Sequence, residues 1–408
     1  MMAAVAVEEV VAAGDAGMCA TIQNHTGAPH FWFQQSGPEG ERLDVLVVRA
    51  TFDFAAHGER ITLAVEQRPV VVGDVYAGPA STDPLRAVIE EDGDLVPYKP
   101  GTDILISGRA LAPGGLPHTQ WVAGLRVGGL KKLLRLHGPR QFRKRLFGWR
   151  VGPASPVESV CLDFRLAFGG CMDVAAAFTG DGEVDTIRHR ANPAGIGWLP
   201  NPADYKHLGR SGRAFVARWV AEQKVLDAPQ IEDALDPVTH PFQRLPPQGF
   251  GPIARWCTPR VGYQGDYDAH WRSTRYPLLP DNFDARYFQN APADMVMTPH
   301  LRGDETVTMT GLLPEKADMA LSGWMPIVAA RLASGGDVIS VPLLDTLRFD
   351  LDRRQVSIVW RTHFDYDDPV VDIAIAVTTS GTATKPDQPV VQPLSGVDDG
   401  SGPTYRAC

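Results

Sequence analysis

The sequence predicts a mainly β protein, built as two antiparallel, sandwich-like β-rich halves with few short helices. Three observations carry this. Short runs rich in Val, Ile, Leu and Phe, partly alternating with polar residues, recur between turn signals. The chain holds 40 Gly and 34 Pro among its 408 residues, a content that favours turns over long helices. Only the stretch 211–228 (SGRAFVARWVAEQKVLDA) reads as a helix, and its Phe215, Val216, Trp219, Val220 and Val225 would also suit a strand.

In chain order, residues 1–19 read as a disordered leader. Glu8 and Glu9 stand where a signal peptide needs Lys or Arg, so no secretion signal is expected. Residues 20–170 form the first β-rich domain. LDVLVVRATFDF (43–54) and ERITLAVEQRPVVVGDVY (59–76) predict a hairpin across Ala56-His57-Gly58-Glu59. TDILISGRAL (102–111), TQWVAGLRVGG (119–129) and VESVCLDFRLAF (157–168) are further strands. Residues 171–300 are an irregular, Pro/Gly-rich connecting region. The second β-rich domain, 301–379, carries strands at 305–313, 336–352, 354–366 and 368–379, with a hairpin turn at Leu351-Asp352-Arg353-Arg354. Pro, Gly, Ser and Asp dominate 380–408, which predicts a disordered tail.

A hydrophobic content of 44% and a charged content of 21% are ordinary for a globular protein. The apolar runs fall short of the ~20 residues a membrane helix needs. Five Cys (19, 161, 171, 257, 408), odd in number and without a CxxC pair, point to free thiols in a reducing compartment. GxSxG, GxGxxG, Walker, HExxH and EF-hand patterns are missing. His25 and His30 are spaced for opposite faces of a strand, so neither a metal nor a cofactor is expected.

The segment 249–294 is the most distinctive part of the chain. Nine of its first forty residues are aromatic, against 8% overall, and its charges are five Arg and five Asp with no Lys or Glu. Asp266 or Asp268 with Asp281 or Asp284, among aromatic walls, could serve a glycoside hydrolase as acid and base. Pairing with Arg255, Arg260, Arg272, Arg275 and Arg286 fits the composition better, and neighbouring guanidinium groups oppose the raised pKa that a general acid needs.

From Ile104 to Val157 there is no Asp or Glu but ten Lys or Arg, inside a chain of net charge −9. The stretch reads as a solvated face, as a docking surface for an acidic protein partner, or as a nucleic-acid surface over 126–150 with Trp121, Phe142, Phe147 and Trp149. The acidic whole and the lack of a known motif disfavour nucleic acid. Arg126, Lys131, Lys132, Arg135 and Arg140 are the expected electrostatic contacts.

Several short motifs occur in order. They are Leu125-Arg126-Val127-Gly128, Leu166-Ala167-Phe168-Gly169-Gly170, Asn192-Pro193-Ala194-Gly195-Ile196-Gly197 and Gly249 to Arg260 with Trp256. Tyr267-Asp268 with Trp271, Arg275-Tyr276-Pro277, Leu279-Pro280, Asp281 with Phe283-Asp284, and Ala291-Pro292 follow. Asp345-Thr346-Leu347 through Val359-Trp360-Arg361 closes the series. In this order, from about residue 25 to about 378, they resemble a bacterial domain-of-unknown-function family encoded in type VI secretion gene clusters, beside the VgrG spike and PAAR-repeat tip proteins. The chain departs from that family at Ala228-Pro229-Gln230-Ile231-Glu232, where LPNIE is commoner, and at Met295, where Gln is usual. The resemblance implies a non-catalytic adaptor or chaperone that binds a secreted effector, often PAAR-linked, and helps load it onto VgrG. It carries over no catalytic residue. Phe168, Gly169, Gly170, Asn192, Pro193, Gly195, Trp256, Arg260, Tyr267, Asp268, Trp271, Asp281, Asp284 and Trp360 are expected to form a structural clamp.

Overall fold

The computed structural model of the chain describes residues 20–37, 39–78, 84–172, 187–365 and 367–379. The expected leader and tail lie outside the described residues. Within them the protein is mainly β, with several sheets and two short α-helices.

Strands β1 (Thr21–Asn24), β2 (His30–Ser36) and β3 (Arg42–Asp53) come first. The expected hairpin partner of β3 at 59–76 does not form. Only Thr62–Leu63 pairs with β3, and Val75–Tyr76 pairs with Ile89–Glu91 instead. Pro69 and Gly73 interrupt that run, and Gln67 replaces the missing ladder: its side chain accepts from Thr51 N and donates to Thr51 O. Next come β4 (Thr102–Ser107), β5 (Gln120–Val127), β6 (Leu130–His137), β7 (Arg140–Arg145) and β8 (Gly148–Val151). Helix α1 (Gly209–Glu222) forms where expected but stops early. Its last expected residues become β9 (Val225–Ala228), which the β-branched Val225 suits. After β10 (Ile231–Asp233) comes α2 (Ala269–Thr274), capped by Asp268. The chain then runs through β11 (Val296–Met297), β12 (Thr306–Thr310), β13 (Ala317–Ala320), β14 (Trp324–Leu332) and β15 (Asp337–Ser340). It finishes with β16 (Leu343–Asp350), β17 (Gln355–Asp365) and β18 (Val370–Thr379). The β16–β17 hairpin turns at Arg354, a non-glycine residue at φ 53°.

The two β-rich stretches interleave. A seven-stranded sheet runs β11-β4-β16-β17-β3-β2, with Thr62–Leu63 also on β3. Its β4–β16 pair is parallel and joins residue 103 to residue 346. The five-stranded sheet β10-β6-β5-β12-β13 and the four-stranded sheet β1-β18-β14-β15 mix early and late strands in the same way. Strands β8-β7-β9 make a three-stranded sheet. Apolar periodicity marks where strands lie, whereas pairing depends on which faces must be covered.

The central strands of the large sheet are covered on both faces, so β3 is buried between its two end residues, while the edge strand β2 stays partly exposed. Leu46, Val48, Ala50 and Phe52 join Ile358, Trp360, Leu347 and Phe349 in the main core. Burying each Val, Leu, Ile or Phe among them is worth about 1.5–3 kcal/mol. Trp360 packs on Trp324 with ring centroids 4.9 Å apart. Residues of the other parity, including Arg49, Arg348 and Arg361, are buried as well. They need counter-charges, which come from Glu91 ahead of β4 and, for Arg361, from Asp345 on β16.

Candidate docking surface and the clamp behind it

The segment 88–103 brings carboxylates onto the charged face of the large sheet. Glu91 meets Arg49 and Arg348 at 3.2 Å each and Arg68 at 2.9 Å. Arg361 pairs with Asp345 and donates to the Asp94 and Val96 carbonyls. Lys99 bonds Asp103 and Thr346 at 2.8 Å, and Asp103 also accepts from the Asn290 and Ala291 amides. Removing one member of such a buried set costs about 3–5 kcal/mol, against about 0–1 for an exposed pair. This network was not foreseen, although a charge at one parity of an apolar strand, as in VVRATF or VWRTHF, is a visible sign of it.

The 249–294 segment locks onto the same network through Arg260. Its guanidinium donates to the Ile253 and Tyr287 carbonyls and to Asp92 at 2.7 Å. Arg255 reaches Asp74 and Asp92. The counter-charges of these two Arg therefore come from 74–92, not from the segment's own Asp. Burial opposes ionisation of Asp92, but Arg260 and Arg255 outweigh it and hold its pKa at about 2. Burial pushes the Cys257 thiol up to about 11, against the pull of Arg188 and Arg260. Trp256 is tied by its Nε1–H to the Leu85 carbonyl.

The segment's own carboxylates take local roles. Asp268 accepts from Trp271 N as the α2 cap, and the Tyr267 and Trp271 rings meet edge to face at 4.7 Å. Asp281 pairs with Arg275 at 2.9 Å, and Asp284 caps a 3-10 turn and pairs with Arg286. Asp266 accepts from the Asn282 side chain.

The two glycine motifs form one knot. Phe168–Gly169 pairs with Ile196–Gly197, and Asn192 donates its side-chain amide to the Phe164 and Phe168 carbonyls. A Cβ on Gly169 would sit 2.2 Å from the Asn192 carbonyl oxygen, and one on Gly195 2.4 Å from its Nδ2. Gly170 completes the crossing at φ 140°, and Pro193 lies with Pro252 and Ile253 along the adjoining crevice. His189 is clasped edge-on by Phe168 and Trp198. Burial lowers its pKa to about 4, although a backbone hydrogen bond with Leu245 opposes the shift.

The five expected docking cations divide. Lys132 is buried and pairs with Asp294 at 2.8 Å. Arg140 is buried against Glu232, which also takes His137 and the Val238 amide. These two therefore hold the fold and present no surface charge. Arg135 is half-buried and donates to the Ala234 carbonyl. Arg126 and Lys131 are exposed and stand opposite each other across β5–β6. The alternation of β6 explains why Lys131 and Lys132 differ, since neighbours on a strand face opposite ways.

More cation lies on the β7–β8 hairpin. Arg143, Lys144, Arg145 and Arg150 are exposed, and no carboxylate ion-pairs with them among the described residues. Leu146 and Phe147 form its two-residue tip and are each 90% exposed. Asn-Gly or Asp-Gly would be usual at such a tip. The hairpin base is anchored by Phe142, packed with Phe168 and Trp149.

No helix among the described residues is long and apolar enough to cross a membrane. No curated protein matches the chain, and no solved structure matches it. The profile of one family, described as an uncharacterized protein conserved in bacteria (DUF2169), matches residues 39–361, a span that takes in the charged network, the clamp and both basic hairpins. The chain belongs to that family.

Proposed function

We propose that this protein is a non-catalytic adaptor or chaperone of the bacterial cytoplasm. It binds a type VI secretion effector, often PAAR-linked, and assists its loading onto the VgrG spike. The observation that carries the reading is the β7–β8 hairpin, where two exposed apolar side chains sit among four cations that have no counter-charge among the described residues. A tip of this kind suits an apolar pocket with an acidic rim on a partner protein. Arg126 and Lys131 on β5–β6 extend the attraction. The motif order described above supports the secretion context, and the capping and pairing roles of the Asp in 266–284 favour binding over hydrolysis by those carboxylates.

The test is co-purification from the native cell with the tagged full chain. Arg143→Glu/Lys144→Glu/Arg145→Glu and Leu146→Ser/Phe147→Ser, each compared with wild type, should lose the effector while the circular dichroism spectrum is kept. Arg126→Glu/Lys131→Glu should weaken capture. Undiminished capture by all three variants would sink the reading. Salt-dependent binding of a DNA duplex at low ionic strength, abolished by the same changes, would replace it with the nucleic-acid reading.

A further inference from the structure

Residues 187–190 run beside residues 170–172, with an antiparallel bridge between Cys171 and Arg188. Met172 N donates to Ile187 O at 2.7 Å, and His189 N donates to Gly170 O at 2.9 Å. Ile187 packs inward with Met172 and Val216, and His189 turns inward between Phe168 and Trp198. Arg188 and Arg190 both line a cleft of about 250 Å³, which Ile187 also borders, with Tyr205, His207, Trp256 and Thr258. Tyr205 and His207 stand together with rings 5.9 Å apart, and Trp256 is fixed by its bond to Leu85. The Thr258 amide donates to the Arg190 carbonyl at 3.1 Å, tying the Arg-bearing strand to the clamp.

The charge balance of this cleft is unusual for the protein. Arg255 and Arg260, a few residues from Trp256, are matched by Asp74 and Asp92. Among the described residues, Arg188 and Arg190 form no ion pair and no carboxylate lines the cleft. Two arginines lining one cleft can offer the planar forks that hold phosphate with paired hydrogen bonds. A charge of +2 matches a dianion better than a single carboxylate. The volume of about 250 Å³ is near the lower end of small-molecule sites, which start at roughly 300 Å³, so the group held is small. We propose that the cleft binds a phosphate dianion, free or as the monoester of a small molecule whose ring contacts Tyr205, His207 or Trp256. This site is independent of effector binding by the basic hairpins.

Titration calorimetry of the full chain at low ionic strength tests it, with inorganic phosphate as the first probe and phenyl phosphate as the second. Saturable binding of phosphate is expected, with sodium chloride at equal ionic strength giving none. Tighter binding of phenyl phosphate assigns the ester, and equal binding assigns the free anion. Arg188→Gln and Arg190→Gln should each weaken binding by about tenfold or more. Arg190→Lys should fall between, since it keeps the charge and loses the fork. Arg218→Gln, on the exposed face of α1, should leave binding unchanged. Because Arg190 is exposed, its variants should keep the wild-type melting temperature without phosphate and lose the rise that phosphate gives the wild type. Absence of saturable phosphate binding, or binding untouched by both Gln substitutions, overturns the proposal.

Discussion

Lys131 and Lys132 are neighbours with the same charge and opposite fates. Lys131→Glu changes an exposed side chain with no ion-pair partner among the described residues, so stability should move by no more than about 0.5 kcal/mol. Lys132→Glu is different. The Lys132 side chain is only 4% exposed and its ammonium sits 2.8 Å from Asp294. The substitution breaks that pair, buries an anion and sets it against Asp294, which should cost about 3–5 kcal/mol. Lys132→Met keeps the apolar stem. Asp294 is 58% exposed and can rehydrate, so this change should cost only about 1 kcal/mol. Against a total stability of about 5–15 kcal/mol, the glutamate variant alone should lower the urea midpoint sharply. Tryptophan fluorescence in urea reads all three. Equal damage from Lys131→Glu and Lys132→Glu, or a Lys132→Glu effect within about 0.5 kcal/mol of wild type, would refute the assignment of Lys132 to the interior.

Asp92 should make the fold acid-sensitive. Its folded pKa of about 2 lies below the ordinary 3.8, so its stabilisation is complete above pH 4 and is lost as pH falls through 2. The loss is about 2 kcal/mol, and an Asp92→Asn variant, already weaker at pH 7, should show a shallower acid slope in unfolding experiments. Gly195→Ala should destabilise by about 1–3 kcal/mol, because its Cβ would stand 2.4 Å from Asn192 Nδ2 and 2.6 Å from the Ala167 carbonyl oxygen. A melting curve matching wild type would contradict the knot. Cys257, buried with its pKa at about 11, should resist iodoacetamide at pH 8 in the folded chain and react after denaturation, as peptide mass mapping would record.

The β16–β17 hairpin was legible because apolar runs flank a polar turn, and α1 because its pattern is local. The 59–76 run misleads because only Ile61, Ala64, Val70 and Val71 are buried, without a ladder along the run, while Leu63, Val65, Val72 and Val75 face solvent. The clamp was half legible: the Asp caps and the Arg275 and Arg286 pairs are near in sequence, whereas Arg260 finds Asp92 far upstream. Lys132 and Arg140 looked like surface charge because Asp294 and Glu232 lie 162 and 92 residues away. Strand alternation alone cannot say which of Lys131 and Lys132 faces inward until the strand's covered face is known. The hairpin tip was visible as Leu146-Phe147 inside a basic run, but its exposure follows only from the two-residue turn.

The most direct measurement for the adaptor proposal is quantitative pull-down of the tagged protein from its native bacterium, wild type beside the Leu146→Ser/Phe147→Ser variant, with captured proteins identified by mass spectrometry. The proposal predicts an effector or PAAR-bearing protein with the wild type and its loss with the folded variant. Capture of the same partner in equal amount by both would contradict it.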